Sequence, residues 1–352
     1  MTRCRLAGLL LLAGLCAASQ SGWQTVGLEA GPAFGAADVP ERLSDQAFWR
    51  LSADASELGG YFRSQDITNL TSNELWFQHV IPDLVQRTRP GAVYLGVGPE
   101  QNFTYMAAVR PRMAIIFDIR RGNLDLQLMY KAIFELSKDR ADFVAMLFGS
   151  PRPPAVTTSS SATELFRALS TVTPNDTLFR QYLANIERQL VREHAFPLRP
   201  SDLNAIRQIY RTFYLSGVSV RAYPTYADLM TATDQAGINH GFLASEASFA
   251  FLKDLETRNM VVPVVGDFSG PRAIRAIGAY LKGRGAFVSA FYLSNVEQYL
   301  DSWDTFCRNV SALPLDDSST FIRSTNAGAF GRGAGFVSSL GQMTQEVQYC
   351  RR

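Results

Sequence analysis

The residues best placed to do chemistry are two glycines, two aspartates and an asparagine, all at the ends of short apolar runs. Gly96 and Gly98 close the run Ala92–Val97, Asp118 closes Met113–Ile119, Asp267 closes Met260–Val265, and Asn295 and Glu297 follow Ala286–Leu293. Glycines after a strand let the backbone turn tightly and approach a ligand, and the next helix aims its first amides at a negative group. Asp118 stands 22 positions beyond Gly96, the spacing at which an acid reaches the ribose hydroxyls of a nucleoside. Asp267 suits an adenine edge, and Asn295 a substrate amine or hydroxyl. Each has a plainer role. Asp118 precedes Arg120 and Arg121 and could be half of an ion pair, while Asp267 and Asn295 could cap the helices that follow them.

The elements that would position these residues alternate. Strands are expected at 92–97 and 113–119, with helices at Phe103–Val109 and Leu124–Leu136. The alternation resumes with strand 260–265, helix Pro271–Lys282, strand 286–293 and helix Val296–Phe306, with Thr320–Arg323 as a late strand. Between the two halves, 149–161 reads as a turn-rich loop. Ala162–Tyr214 reads as helical with breaks at Pro174, Pro197 and Pro200, followed by helices Tyr226–Gln235 and Glu246–Thr257. Upstream, helices are expected near Val39–Leu51 and at Leu75–Gln86, the latter preceded by the capping run Ser72-Asn73-Glu74. Short apolar strands alternating with helices predict an α/β fold, a doubly wound, mostly parallel sheet with a helical insertion. Right-handed crossovers gather the strand ends on one edge, where ligands bind. The α/β domain is expected over 73–138 and 242–323, the insertion over 139–241, a lead-in over 20–72 and a Gly-rich tail over 324–352.

Thr2-Arg3-Cys4-Arg5, the uncharged run Leu6 to Ala18 and the small residues Ala17-Ala18-Ser19 read as a signal peptide over residues 1–19. A lipoprotein signal on Cys16 competes with this reading, but Leu15 stands where a small residue is expected. The chain is then exported; with a misplaced start it is cytoplasmic. No later segment is long and apolar enough to span a membrane. Cys307 and Cys350 remain beyond the signal segment, either as one disulfide or as two thiols, and no CxxC pair suggests zinc. The 352 residues are 47% apolar and 19% charged, with net charge +2, an ordinary globular composition that makes no broad case for nucleic acid or an anionic membrane. A small molecule is the expected partner. His79, His194 and His240 lie in no motif, and Ser294 lacks a Gly-x-Ser-x-Gly frame.

Four blocks carry a resemblance: Tyr-Leu-Gly-Val-Gly-Pro-Glu-Gln-Asn-Phe-Thr-Tyr (94–105), Asp-Ile-Arg-Arg (118–121), Val-Pro-Val-Val-Gly-Asp-Phe (262–268) and Tyr-Leu-Ser-Asn-Val-Glu-Gln-Tyr-Leu (292–300). They are similar to a bacterial family whose domain resembles class I S-adenosylmethionine-dependent methyltransferases, over roughly residues 73–323. The resemblance implies S-adenosylmethionine as cofactor. Gly96 and Gly98 would lie under its methionine part, with Glu100 and Gln101 beside them. Asp118 would hold the ribose, and Asp267 and Phe268 the adenine. Asn295 and Glu297 would face the substrate, an amine or hydroxyl. Tyr94 stands where such enzymes carry an acid, Gln101 replaces the third glycine, and Val296-Glu297 replaces a Pro-Pro pair. Two alternatives stand beside this reading, a non-catalytic exported binding protein and a nicotinamide-dependent oxidoreductase.

Overall fold

A computed structural model describes residues 39–61, 69–326 and 335–350 of the chain. The signal-peptide reading and the whole of the 20–38 stretch lie outside the described residues. The lead-in helix is α1 (Asp45–Ala55), its first turn capped by the Ser44 hydroxyl, which accepts from the Ala47 amide. The helix expected over 75–86 is shorter. A 3-10 turn at Phe77–Val80 precedes α2 (Ile81–Arg87), because Pro82 has no N–H to bond backwards and fits only a first helical turn.

Next come β1 (Val93–Val97), α3 (Gln101–Val109), β2 (Met113–Asp118) and α4 (Arg121–Leu136). Seven α-helices separate β2 from β3: α4, α5 (Arg140–Leu147), α6 (Ala162–Leu169), α7 (Asp176–Arg188), α8 (Pro200–Ser216), α9 (Tyr226–Thr231) and α10 (Glu246–Thr257). Helix α5 has no counterpart among the expected elements, since seven of its eight residues are buried and no apolar stripe marks one face. Pro200 opens α8 rather than merely breaking a helix. Then follow β3 (Val261–Val265), α11 (Ala273–Lys282) and β4 (Val288–Ser294). The expected helix 296–306 is split into a 3-10 turn at Val296–Tyr299 and α12 (Trp303–Ser311), which restarts because the Ser302 hydroxyl accepts from the Thr305 amide. The late strand is a twelve-residue β5 (Leu315–Asn326). The described part of the tail beyond β5 forms β6 (Phe336–Gln342) and α13 (Met343–Tyr349).

One six-stranded sheet runs in the order β3-β2-β1-β4-β5-β6. β1 to β5 are parallel, and β6 returns antiparallel against β5, with Phe321 opposite Gly341. β2 and β3 are buried along their whole length, which is why they read as unbroken apolar runs. Strand order steps outward from β1 in one direction through β2 and β3, and in the other through β4 and β5. In sheets whose order steps outward both ways, ligands bind outside the strands' carboxyl ends at the point of reversal, here between β1 and β4. Cys307 in α12 and Cys350, just after α13, form a disulfide with Cα atoms 5.3 Å apart, tying the last helix to the body. Among the described residues no helix is long and apolar enough to cross a membrane.

Candidate functional site

A cavity of about 1020 Å³ lies at the carboxyl edge of the sheet, and Gly98, Asp118, Asp267, Phe268 and Asn295 all line it. Four chain turns separated by nearly 200 residues thus meet at one opening. Gly96, Glu100, Gln101 and Glu297 are not in its wall.

The turn after β1 shows why the two glycines differ. A Cβ on Gly98 would meet nothing within 4 Å, and its φ of +78° suits glycine, so the backbone here is open to a ligand. A Cβ on Gly96 would fall 1.8 Å from Asn102 Oδ1. Gly96 is a packing glycine. The Asn102 amide donates to the Val97 carbonyl (2.9 Å) and the Pro99 carbonyl (2.7 Å), and its oxygen accepts from the Tyr94 hydroxyl (2.9 Å). Asn102, which no sequence motif singles out, therefore fastens the whole turn. Behind it, Glu100 accepts from the Ser72 amide, and burial pushes its carboxyl up to about 7. Gln101 accepts from the Ser72 hydroxyl and donates to Glu74 and Tyr105. Glu100 and Gln101 thus hold the 71–74 segment against α3, where the resemblance would have them touch a cofactor.

Asp118 is already engaged. Its Oδ1 accepts from the Arg120 amide (2.8 Å) and Nε (3.0 Å), and its Oδ2 from Arg120 Nη2 (2.7 Å). Asp267 Oδ1 accepts from the Ser269 amide (2.8 Å) and hydroxyl (3.0 Å), closing its own turn. It does not cap α11. Glu57 does, accepting from the Arg272 and Ala273 amides at 2.7 and 2.8 Å from more than 200 residues away. Phe268 is a core ring, 3% exposed, packed against Phe291 and edge-on to Phe117. Glu297 receives the Arg323 guanidinium on both oxygens (2.7 and 3.0 Å), and Arg323 also reaches Glu346. That network staples β5 to the 3-10 turn and to α13.

At the end of β4, Ser294 holds a left-handed φ of +52°, unusual for a residue with a side chain. Its hydroxyl donates to Glu74 Oε1 at 2.5 Å. Glu74, 2% exposed and yet part of the cavity lining, also accepts from the Ser324 hydroxyl and from Gln101 Nε2 (2.8 Å). The run Ser72-Asn73-Glu74, expected to cap a helix, is instead the floor of the site. Glu74's charge, after burial itself, helps hold the Tyr292 and Tyr105 hydroxyls well above their ordinary range. Asn295 stands beside this pair, its Oδ1 3.4 Å from the Ser294 hydroxyl.

No curated protein matches the chain. A family model described as a domain of unknown function (DUF7790) matches residues 67–350, well over half of the sequence, and the chain belongs to that family.

Proposed function

We propose that this chain is a small-molecule-binding protein of methyltransferase-like, Rossmann-like architecture, a doubly wound sheet with the 139–241 helices as an insertion, and that its cleft takes a nucleoside-bearing ligand of the S-adenosylmethionine type. The observation that carries the reading is the convergence of Gly98, Asp118, Asp267 and Asn295 on one cavity at the sheet's switch point. The antiparallel final strand beside β5 favours the methyltransferase-type sheet over an all-parallel dinucleotide sheet, and so disfavours a nicotinamide cofactor.

The fit to S-adenosylmethionine is uneven. The open space at Gly98 suits close approach, and the volume is ample for a ligand of this size. Arg120 takes three of the roughly four acceptor positions of Asp118, which leaves little of the carboxylate for a ribose diol. The arrangement therefore supports ligand binding rather than a methyl-transfer step. The test is isothermal titration of the full chain with S-adenosylmethionine. Binding is expected, with Asp118→Ala weakening it and Arg120→Ala, which frees the carboxylate, strengthening it. No heat from a protein whose circular dichroism shows it folded would sink the reading.

A second reading has its own support. The Cys307–Cys350 disulfide and the basic-then-apolar first 19 residues favour an oxidising, extracytoplasmic location, away from a cytoplasmic cofactor. On that reading the protein is an exported, non-catalytic binding module. Cell fractionation distinguishes the two: a mature chain found wholly in the cytoplasm removes the export reading.

A further inference from the structure

The cleft holds a carboxylate whose charge no described residue balances. Glu74 is 2% exposed and accepts from two hydroxyls and one amide, all neutral donors. Among the described residues no lysine, arginine or histidine forms an ion pair with it. Taking a carboxylate out of water without a counter-charge is costly, and neutral hydrogen bonds offset only part of that cost. The remaining charges of the wall lean the same way. Among its described residues the wall carries four acids, Glu74, Asp118, Asp267 and Asp301, and two arginines, Arg120 and Arg221.

The rim adds an independent observation. Four tyrosines are exposed among the described residues, and three of them, Tyr61, Tyr223 and Tyr299, border this one cavity. The faces of aromatic rings attract cations. An acidic floor beneath an aromatic rim is complementary to a molecule with a positive head and an apolar body.

We infer that the cleft binds a small organic ammonium compound, its charge seated against Glu74 beside Ser294 and Asn295, its apolar part among the rim tyrosines. The inference rests on the cleft being a ligand site, as proposed above, and not on S-adenosylmethionine occupying it. Ser294 has a defined part. Its hydroxyl, held inward by the left-handed backbone, donates to Glu74 Oε1 and fixes the orientation of that carboxylate. An ammonium group then completes with charge what the hydroxyls supply only as dipoles.

The test titrates three probes of nearly one size into the full chain, by calorimetry at low salt: phenethylamine, 2-phenylethanol and 3-phenylpropionate. Phenethylamine is expected to bind about tenfold or more tightly than the other two, the range a charge-assisted hydrogen bond gives over a neutral one. Glu74→Gln, with folding checked by its melting curve, is expected to bring the amine and the alcohol to about the same affinity. Ser294→Ala removes the cleft-side donor, leaves the carboxylate less neutralised and should widen the preference for the amine. Three results overturn the inference: no probe binds, the anion binds best, or the preference survives Glu74→Gln. S-adenosylmethionine giving no heat while phenethylamine binds would overturn the cofactor reading alone.

Discussion

The helical layer between β2 and β3 and the cleft above the sheet hold buried charge differently. In the helical layer the buried cations Arg140 and Lys131, and the acids that face them, meet partners from the same chain. Arg140, fully buried, donates to Glu246 at 2.8 Å and to the carbonyls of Leu243, Ser160 and Thr158. Lys131 pairs with Glu135 at 2.8 Å, and His194 bridges Glu135 and Asp45 at 2.7 Å to each. Burial disfavours the charge on Asp202, but Arg121 and Arg199 grip it and hold its carboxyl far below the usual range. In the cleft, Glu74 has only neutral donors among the described residues. Completed charge networks fix a fold, whereas an uncompleted one in a cavity is where a ligand's charge belongs.

The largest expected effect strikes the completed side. Arg140→Met keeps the side-chain bulk but leaves Glu246 and three carbonyls without their donor, and should cost about 3–5 kcal/mol in urea unfolding. Its folded fraction should still prefer the ammonium probe. A loss of that preference would mean the two regions are not separate. Reducing the Cys307–Cys350 bridge comes next. It releases a loop of 43 residues' separation, which chain entropy values at about 4 kcal/mol and usual practice at about 2–4 kcal/mol. Because α13 packs against β5, which carries Ser324, this reduced form also tests whether the Glu74 floor survives a loosened edge.

A smaller effect comes from pH. Burial pushes the carboxyls of Glu256, Asp125 and Glu100 up to about 8, 7 and 7. A carboxyl with a raised pKa binds its proton more tightly folded than unfolded, so its contribution is full below the ordinary range of about 4 and lost as pH climbs through 7 to 8. His194 acts in the same direction. Burial opposes its protonation, but Glu135 and Asp45 outweigh that and raise it, so its contribution fades above about 6.5. The depressed groups, Asp202, Asp139 and Glu135, titrate below their ordinary carboxylate ranges and do not counter this window. Stability should therefore fall by about 1–3 kcal/mol between pH 5 and pH 8, read from urea midpoints. Glu256→Gln should flatten the curve. A midpoint that climbs across that range contradicts the assignment.

How far these regions were legible in the sequence follows from burial and from distance along the chain. β1 to β4 and their terminal Gly98, Asp118, Asp267 and Asn295 stood out because fully buried parallel strands write unbroken apolar runs ended by glycine or an acid. α5 did not, because a helix buried on nearly all sides has no periodic face. β6 did not, since Phe-Val-Ser-Ser-Leu-Gly-Gln has a strand pattern only once β5 lies beside it. The Asp118–Arg120 pair was visible as two neighbours of opposite sign. The Glu57 cap on α11 and the Glu74 floor were not, because each joins residues more than 200 positions apart. Gly96 and Gly98 look alike in sequence, and only the position of Asn102 separates a packing glycine from an open one.

The smallest expected change in stability is the one that most sharpens the contrast. Glu74→Gln is isosteric, and its oxygen can still accept from Ser324 and from Gln101 Nε2. Its new amide must donate, so the Ser294 hydroxyl has to rotate to accept, which a hydroxyl does readily. The variant loses a charge-assisted acceptor and also sheds the cost of burying a charge that no cation balances. The two nearly cancel, so the unfolding free energy should lie within about 1 kcal/mol of the parent, with any change toward greater stability. A loss of about 3 kcal/mol or more, the scale set by Arg140→Met, would show that Glu74 is as structural as the charges of the helical layer, and that its place in the cavity wall is incidental.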